Sequence, residues 1–382
     1  MAVSDPDPFP LVALRAVANE NGEWVALRVH VEQGCDALRQ VFASHDLLSA
    51  VAPLDCVLAT DPACLDGELL AALPSNRVIL AVAGAALADE AATKTLCALR
   101  QGGYRILLDG PPAAASTATA SAFDRVGADC SRAVPALSTA CGPHLAYGVD
   151  SAARLAACRQ AGYGWFSGNY AIDASAVDTR SDGTSRQRLL ALLGLLARDA
   201  DSRELECLLK QDPALSFHLL KLVNSAAFAV STPIHSFGQA INVLGRRQLQ
   251  RWLQLLLYAR PHEGPGNPLL PVAAQRGAQM EALCKQHGGE RDEQDLAFMV
   301  GVFSLLDVLL GMPMDAIVAT LSLPAAAAGA LRTRAGPLGQ WLALAEAEVD
   351  HARLARAGVS SLQWWQSQLH AFHWAIQVSR NV

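Results

Sequence analysis

A chain of 382 residues is about two and a half times a typical domain, which predicts two domains. With 52% apolar and 17% charged residues and a mean hydropathy of +0.21, it is too apolar for a disordered chain; its longest apolar stretches, Leu189–Ala197 and Leu296–Met312, are respectively too short for a bilayer and interrupted by Asp307. Net charge is −6, held unevenly: up to Arg180 there are 12 basic and 19 acidic residues, and beyond it 18 and 17, which argues against nucleic-acid binding in the first part and gives no charge argument for it in the second.

The opening MAVSDPDPFP has neither the basic nor the apolar region of a secretory signal, so a cytoplasmic location away from membranes is expected. The nine cysteines, Cys35, Cys56, Cys64, Cys97, Cys130, Cys141, Cys158, Cys207 and Cys284, make no CxxC pair and no Cys/His cluster with zinc spacing. They read as reduced, mostly packed thiols.

From about Phe9 to Phe166, short β-rich apolar runs alternate with helical stretches, the rhythm of an α/β domain. Strands are expected at Leu11–Ala16, Trp24–Val31, Asp55–Ala59, Arg77–Val82, Tyr104–Leu108, Ala128–Val134, His144–Val149 and Gly164–Phe166, with helices at Cys35–Val51, Asp89–Arg100 and Ser151–Gln160. This count fits a (β/α)8 barrel trimmed to about 175 residues where about 200 are usual. The trimming is placed between Val134 and His144, where the connection leaves little room for a crossover helix.

The Ser-, Asp-, Thr- and Gly-rich run Asp173–Gln187 breaks this rhythm. The domains are accordingly drawn at residues 1–178 and 191–382, with a linker or domain edge at 179–190. Beyond it the pattern is helical: Leu189–Arg198, Ser202–Gln211, Pro213–Asn224, Phe237–Leu244, Arg246–Ala259, Val272–His287, Glu293–Leu310, Pro313–Thr320, Ala325–Arg332, Leu338–Ala347 and Ser360–Val378 carry apolar residues at i, i+3, i+4 spacing. The fold class is thus α/β followed by all-α.

Leu208–Leu253, LLKQDPALSFHLLKLVNSAAFAVSTPIHSFGQAINVLGRRQLQRWL, resembles the signature of the HDOD domain, a helical relative of the HD phosphohydrolases without their metal site. The match combines Gln211-Asp212-Pro213, Val223-Asn224-Ser225, Ser236, Ala240-Ile241 and Leu244-Gly245 before a basic helix. Ala297–Met314, AFMVGVFSLLDVLLGMPM, resembles the corresponding helix of HDOD proteins that carry an EAL-type domain in front. HD enzymes need a His-Asp pair with further ligands to hold metal ions; here Ser304-Leu305 stands where that pair falls.

The first half is similar to the EAL family, barrels whose active members hydrolyse cyclic di-GMP. EWVALRVHV (Glu23–Val31) resembles the naming strand, LRQGGYRILLDG (Leu99–Gly110) the helix and strand ending in paired aspartates, ADCSRAV (Ala128–Val134) the lysine-bearing strand, and LAYGVDSAARLAACRQAGYGWFSG (Leu145–Gly168) the last repeat. Carried over by position, the naming glutamate falls at Val25, the asparagine near Ala59 or Thr60, the strand-four glutamate at Ala81, the aspartates at Asp109 and Gly110, the lysine at about Ser131 or Arg132, the next glutamates at Tyr147 and Asp150, and the glutamine at Ser167. Only Asp109 and Asp150 keep a carboxylate.

The resemblance therefore implies a catalytically inactive signalling protein, not an enzyme, in which a degenerate EAL-like barrel and an HDOD domain act as an interaction scaffold within cyclic di-GMP signalling. No cofactor, metal or DNA is expected. The partners are other signalling proteins, with cyclic di-GMP itself as an open ligand. Candidate ligand- or partner-binding residues are Asn224, Arg246, Arg247, Arg251 and Asp109. Each has a plainer reading: Asn224 as a helix cap, the arginines as a solvated amphipathic face, Asp109-Gly110 as a strand-ending turn. Trp364-Trp365 reads as core packing or as an exposed docking patch. Two alternatives stay open: nucleotide binding without hydrolysis through arginines such as Arg28, Arg105 or Arg132, and a phosphodiesterase rebuilt on Glu20, Glu23, Asp61 and Asp109.

Overall fold

The computed structural model describes residues 9–32, 34–43, 46–111, 122–137, 142–173, 245–258, 267–321 and 323–381, together with isolated residues between 191 and 240. The remaining residues, Asn224 and most of the first three expected helices of the second half among them, lie outside the described residues. The chain divides into two units, Met1–Ala176 with Ser360–Trp365, and Val177–Val359 with Gln366–Val382.

The first unit is a closed barrel of eight strands in sequence order: β1 (Val12–Ala18), β2 (Trp24–Val31), β3 (Asp55–Ala59), β4 (Val78–Ala83), β5 (Arg105–Asp109), β6 (Arg125–Asp129), β7 (Leu145–Tyr147) and β8 (Trp165–Ser167). Strands β2 to β8 run parallel, and β1 is antiparallel to both β2 and β8. The reversal comes from the Asn19–Gly22 turn, where the Asn19 side chain accepts from the Asn21 and Glu23 amides at 2.9 and 3.0 Å and Gly22 takes φ +81°. Such a tight turn joins two strands without a crossover helix. Burial on both faces explains why the parallel strands read as unbroken apolar runs, as in Ile79-Leu80-Ala81-Val82.

The connections carry α1 (Gly34–Phe42), α2 (Asp46–Ala50), α3 (Gly67–Ala72), α4 (Glu90–Gln101) and α5 (Ala152–Gln160). Side chains of Asp66, Asp89 and Ser151 cap the last three at their N-termini. Two expectations are corrected here. The helix expected over Cys35–Val51 is two, α1 and α2. The cysteines are not all reduced: Cys35, in the first turn of α1, is disulfide-bonded to Cys64 in the 3-10 turn Pro62–Cys64, with Cα atoms 5.0 Å apart. The barrel topology brings together two residues that sequence spacing kept 29 positions apart. Cys56, Cys130, Cys158 and Cys284 are buried and Cys97 is half-buried, none of them in a disulfide.

The described part of the second unit is helical: α6 (Arg246–Leu256), α7 (Leu269–Gln286), α8 (Arg291–Phe303), α9 (Leu306–Leu310), α10 (Met314–Thr320), α11 (Ala325–Thr333), α12 (Gly336–Glu346), α13 (His351–Arg356) and the larger part of α14 (Ser361–Asn381). None of the described helices is long and apolar enough to cross a membrane. The helix expected over Glu293–Leu310 breaks at Ser304-Leu305 into α8 and α9. There the buried guanidinium of Arg276 donates to Ser304 Oγ at 3.0 Å while Ser304 Oγ donates back to the Gly301 carbonyl at 2.8 Å. Arg276 also meets Glu346, which two nitrogens of Arg334 hold at 2.7 and 2.8 Å. Trp364 and Trp365 are buried, and Phe9 stacks on Trp365 at 5.9 Å, so they form packing and no exposed patch.

Helices α7 and α8 touch backbone to backbone through Gly301, where a Cβ would lie 2.6 Å from the Arg276 carbonyl oxygen. Gly301→Ala must push the two helices apart and is expected to cost about 1–3 kcal/mol, read as a lower urea midpoint. Gly329→Ala is the control: its Cβ meets only Ala335 Cβ, at 3.6 Å, so stability should hold or rise by up to about 1 kcal/mol from helix propensity.

Candidate functional site

The inside of the barrel is packed by Val17, Ala26, Val57, Ile79, Ala81, Leu107, Leu145 and Trp165. Side chains along a strand alternate with period two. Two residues beyond Ala26, Leu107 and Leu145, the same inner side therefore carries Arg28, Asp109 and Tyr147. In a barrel of parallel strands, the ends where these residues stand are where binding and catalytic groups collect.

The three residues form one polar group. The Tyr147 hydroxyl donates to Asp109 Oδ1 at 2.6 Å, Arg28 lies 4.0 Å from Asp109 Oδ2, and the Arg28 guanidinium sits 3.9 Å from the centre of the Tyr147 ring. Arg28 and Asp109 side chains keep 26% and 25% exposure, so the group opens to solvent. Burial pulls the Arg28 guanidinium below its ordinary range, with Asp109 and Tyr147 opposing. Burial, then the bond to Asp109, push the Tyr147 phenol well above its ordinary value. Asp129, at the end of β6, is held below the usual carboxylate range first by the Ser131 backbone amide, with Arg28 contributing.

The carboxylates here do not fit a two-metal site. Asp109 is taken by Tyr147 and Arg28, Asp129 accepts from the Ser131 amide, Asp150 accepts from the Asn169 amide at 2.9 Å, and Asp61 caps the Pro62–Cys64 turn. Among the described residues no group of three or more His, Cys, Asp or Glu is placed to hold a metal ion.

Of the expected candidates, Asp109 ends β5, where Gly110 turns the chain at φ +83°, and its carboxylate stands with Arg28 and Tyr147. Arg247 pairs with Asp292 and, at 3.0 Å, with Asp295; Arg251 pairs with Glu281 at 2.6 Å and Asp295 at 2.7 Å. These arginines hold α6 to α7 and α8 within the second unit. Arg246 opens α6, and Asn224 lies outside the described residues. Among the arginines named for phosphate contact, Arg28 is at the mouth, while Arg105 is held by Asp55 at 2.6 and 3.1 Å at the opposite strand ends. Tyr147 and Asp129 were missed. Tyr147 stands where the resemblance places a glutamate, and its spacing from apolar Leu145 marks it as inward-facing.

Residues 185–305 match the HDOD domain model. The chain carries an HDOD domain. A closed eight-stranded barrel precedes it. The chain is 30% identical over 203 residues to cyclic di-GMP phosphodiesterase CdgJ of Vibrio cholerae, covering 53% of this chain and 47% of that protein. It is 25% identical over 183 residues to the uncharacterized protein YuxH of Bacillus subtilis, covering 47% and 44%. It thus spans less than half the length of either relative. The EAL domain of Mycobacterium smegmatis DcpA aligns with 42% of this chain and 90% of its own, at 17% identity and a TM-score of 0.34.

The CdgJ similarity corrects the expectation that the chain is not an enzyme, since a relative with 30% identity is named a phosphodiesterase. Physically, the loss of one family's ligands at matched positions excludes that ligand set and leaves other routes to phosphodiester cleavage standing.

Tyr147 provides a direct probe of the mouth. Its raised phenol means that its contribution to stability is complete below the ordinary phenol value of 10 and falls as pH rises above it, because the folded state keeps the proton longer. The stability difference between wild type and Tyr147→Phe, followed by urea denaturation, should therefore be level up to that pH and shrink above it. Asp109→Asn should bring the phenolate absorbance step of Tyr147 back toward ordinary pH.

Proposed function

We propose that the chain works in cyclic di-GMP signalling, with the barrel mouth receiving the nucleotide and the HDOD domain, drawn here as residues 191–382, meeting another signalling protein. The observation that carries this reading is the set Arg28, Asp109 and Tyr147 on one inner ring. A guanidinium presents paired N–H donors to a phosphodiester, and a carboxylate beside it accepts from the edge of a base. The flat face of Tyr147 is already taken by Arg28, so a nucleotide entering the mouth competes with Asp109 for the guanidinium rather than stacking on the ring.

A second reading is hydrolysis of the same nucleotide, and it is favoured by the name of the Vibrio cholerae relative. The two share a site and differ in product. Calorimetric titration of the full chain with cyclic di-GMP, in Mg²⁺ and in Mn²⁺, followed by analysis of the recovered nucleotide, separates them. Saturable heat is expected, weakened at least tenfold by Arg28→Ala, which corresponds to about 1.4 kcal/mol. Intact nucleotide assigns the barrel to binding, and linear or mononucleotide product assigns the phosphodiesterase reading. Absence of heat, or heat that Arg28→Ala leaves unchanged, removes the mouth from the proposal.

A further inference from the structure

The Cys35–Cys64 pair stands apart from the other described cysteines. Cys56 and Cys130 are buried, and burial pushes both thiols up to about 12, so they stay protonated and inert. Cys35 is half-buried in the first turn of α1, the helix that follows β2; Cys64 is 5% exposed at the end of the turn that follows β3. These two connections leave the strand ends on the side of the barrel where Arg28 lies, and the pair ties one to the other.

The same junction has a second tie that does not depend on sulfur. Arg39 of α1 pairs with Asp36 at 2.6 Å, with Asp66, and with Glu68 at 3.9 Å. Asp66 in turn caps α3 through the Leu69 amide at 2.9 Å. Through Asp66 and Glu68, α1 keeps a charged contact with the start of α3 when the sulfur bond opens. We infer that Cys35 and Cys64 are a reversible dithiol–disulfide couple that sets how firmly the connections after β2 and β3 are held.

The chemistry balances with a peroxide as oxidant. The half-exposed Cys35 thiolate attacks a peroxide oxygen; the O–O bond breaks, an S–O bond forms, and the departing oxygen leaves as water. The Cys64 sulfur then attacks the Cys35 sulfenic acid, the S–S bond forms, the S–O bond breaks and a second water leaves, so that the two sulfurs together give two electrons to the peroxide. An external dithiol reverses the step by exchange, ending as its own disulfide.

The test uses the full chain, reduced with dithiothreitol, treated with hydrogen peroxide, alkylated with iodoacetamide and mapped by mass spectrometry, with circular dichroism recorded at each stage. Peroxide should remove two alkylation sites per chain, both in the peptides bearing Cys35 and Cys64, which are then found joined. Dithiothreitol should restore both while the helical signal is kept. Cys35→Ser should abolish the paired loss and leave Cys64 open to alkylation after reduction; if that variant does not fold, Cys64→Ser and the wild-type cycle carry the same reading. Amide exchange across 34–42 and 62–72 should rise several-fold on reduction, with 269–286 unchanged. The couple is overturned by a bond that resists dithiothreitol in the folded protein, by reduction that abolishes the helical signal, by thiol loss at other cysteines, or by exchange that does not respond.

Discussion

Closure of the eight-stranded sheet is the constraint on which the rest of the barrel unit depends. A closed sheet has no edge, so every strand presents alternate residues to one shared interior. Ala26, Leu107 and Leu145 pack that interior. The next inward positions, Arg28, Asp109 and Tyr147, come from β2, β5 and β7, yet they meet because closure leaves them nowhere else to point. The small residues around them matter equally. A Cβ on Gly127 would press Leu107 Cδ2 at 2.7 Å, and Gly148 is held at φ +67° against Asp129 and Ser131.

Most of the strands were legible because burial on both faces writes short apolar runs, which their length and β-branched content set apart from buried helix segments. Trp24–Val31 and Asp55–Ala59 have the bounds expected of them. The helices were less legible where a polar contact overrides periodicity. Glu293–Leu310 keeps an unbroken apolar stripe, but the bond of Arg276 to Ser304 comes from another helix and leaves no mark in the local pattern. Helix α3 was missed for the opposite reason: six residues are too few to show a period, and only the Asp66 cap announces it.

The site was legible in proportion to charge. Asp109 and Arg28 were named because carboxylates and guanidiniums draw attention in any reading for phosphate chemistry. Tyr147 carries no charge, and its role rests on a hydroxyl that finds Asp109 across the barrel. The cysteine pair was illegible for a related reason. Its members belong to two different connections, and only the parallel pairing of β2 with β3 sets their helix and turn side by side.

In each unit a guanidinium meets a residue that stands where the active enzymes of the resembled families carry a metal ligand. Arg28 faces Asp109, at the position of the paired aspartates, and Arg276 donates to Ser304, at the position of the His-Asp pair. The two arginines differ in what surrounds them. Arg276 is 5% exposed and bound to Ser304 and Glu346, so its charge is spent inside the helical unit, where removing a partner would leave a buried ion uncompensated. Arg28 is partly solvated and 4.0 Å from its carboxylate, so its charge is shared between Asp109 and solvent. A fixed guanidinium offers charge and directed donors but no open coordination position.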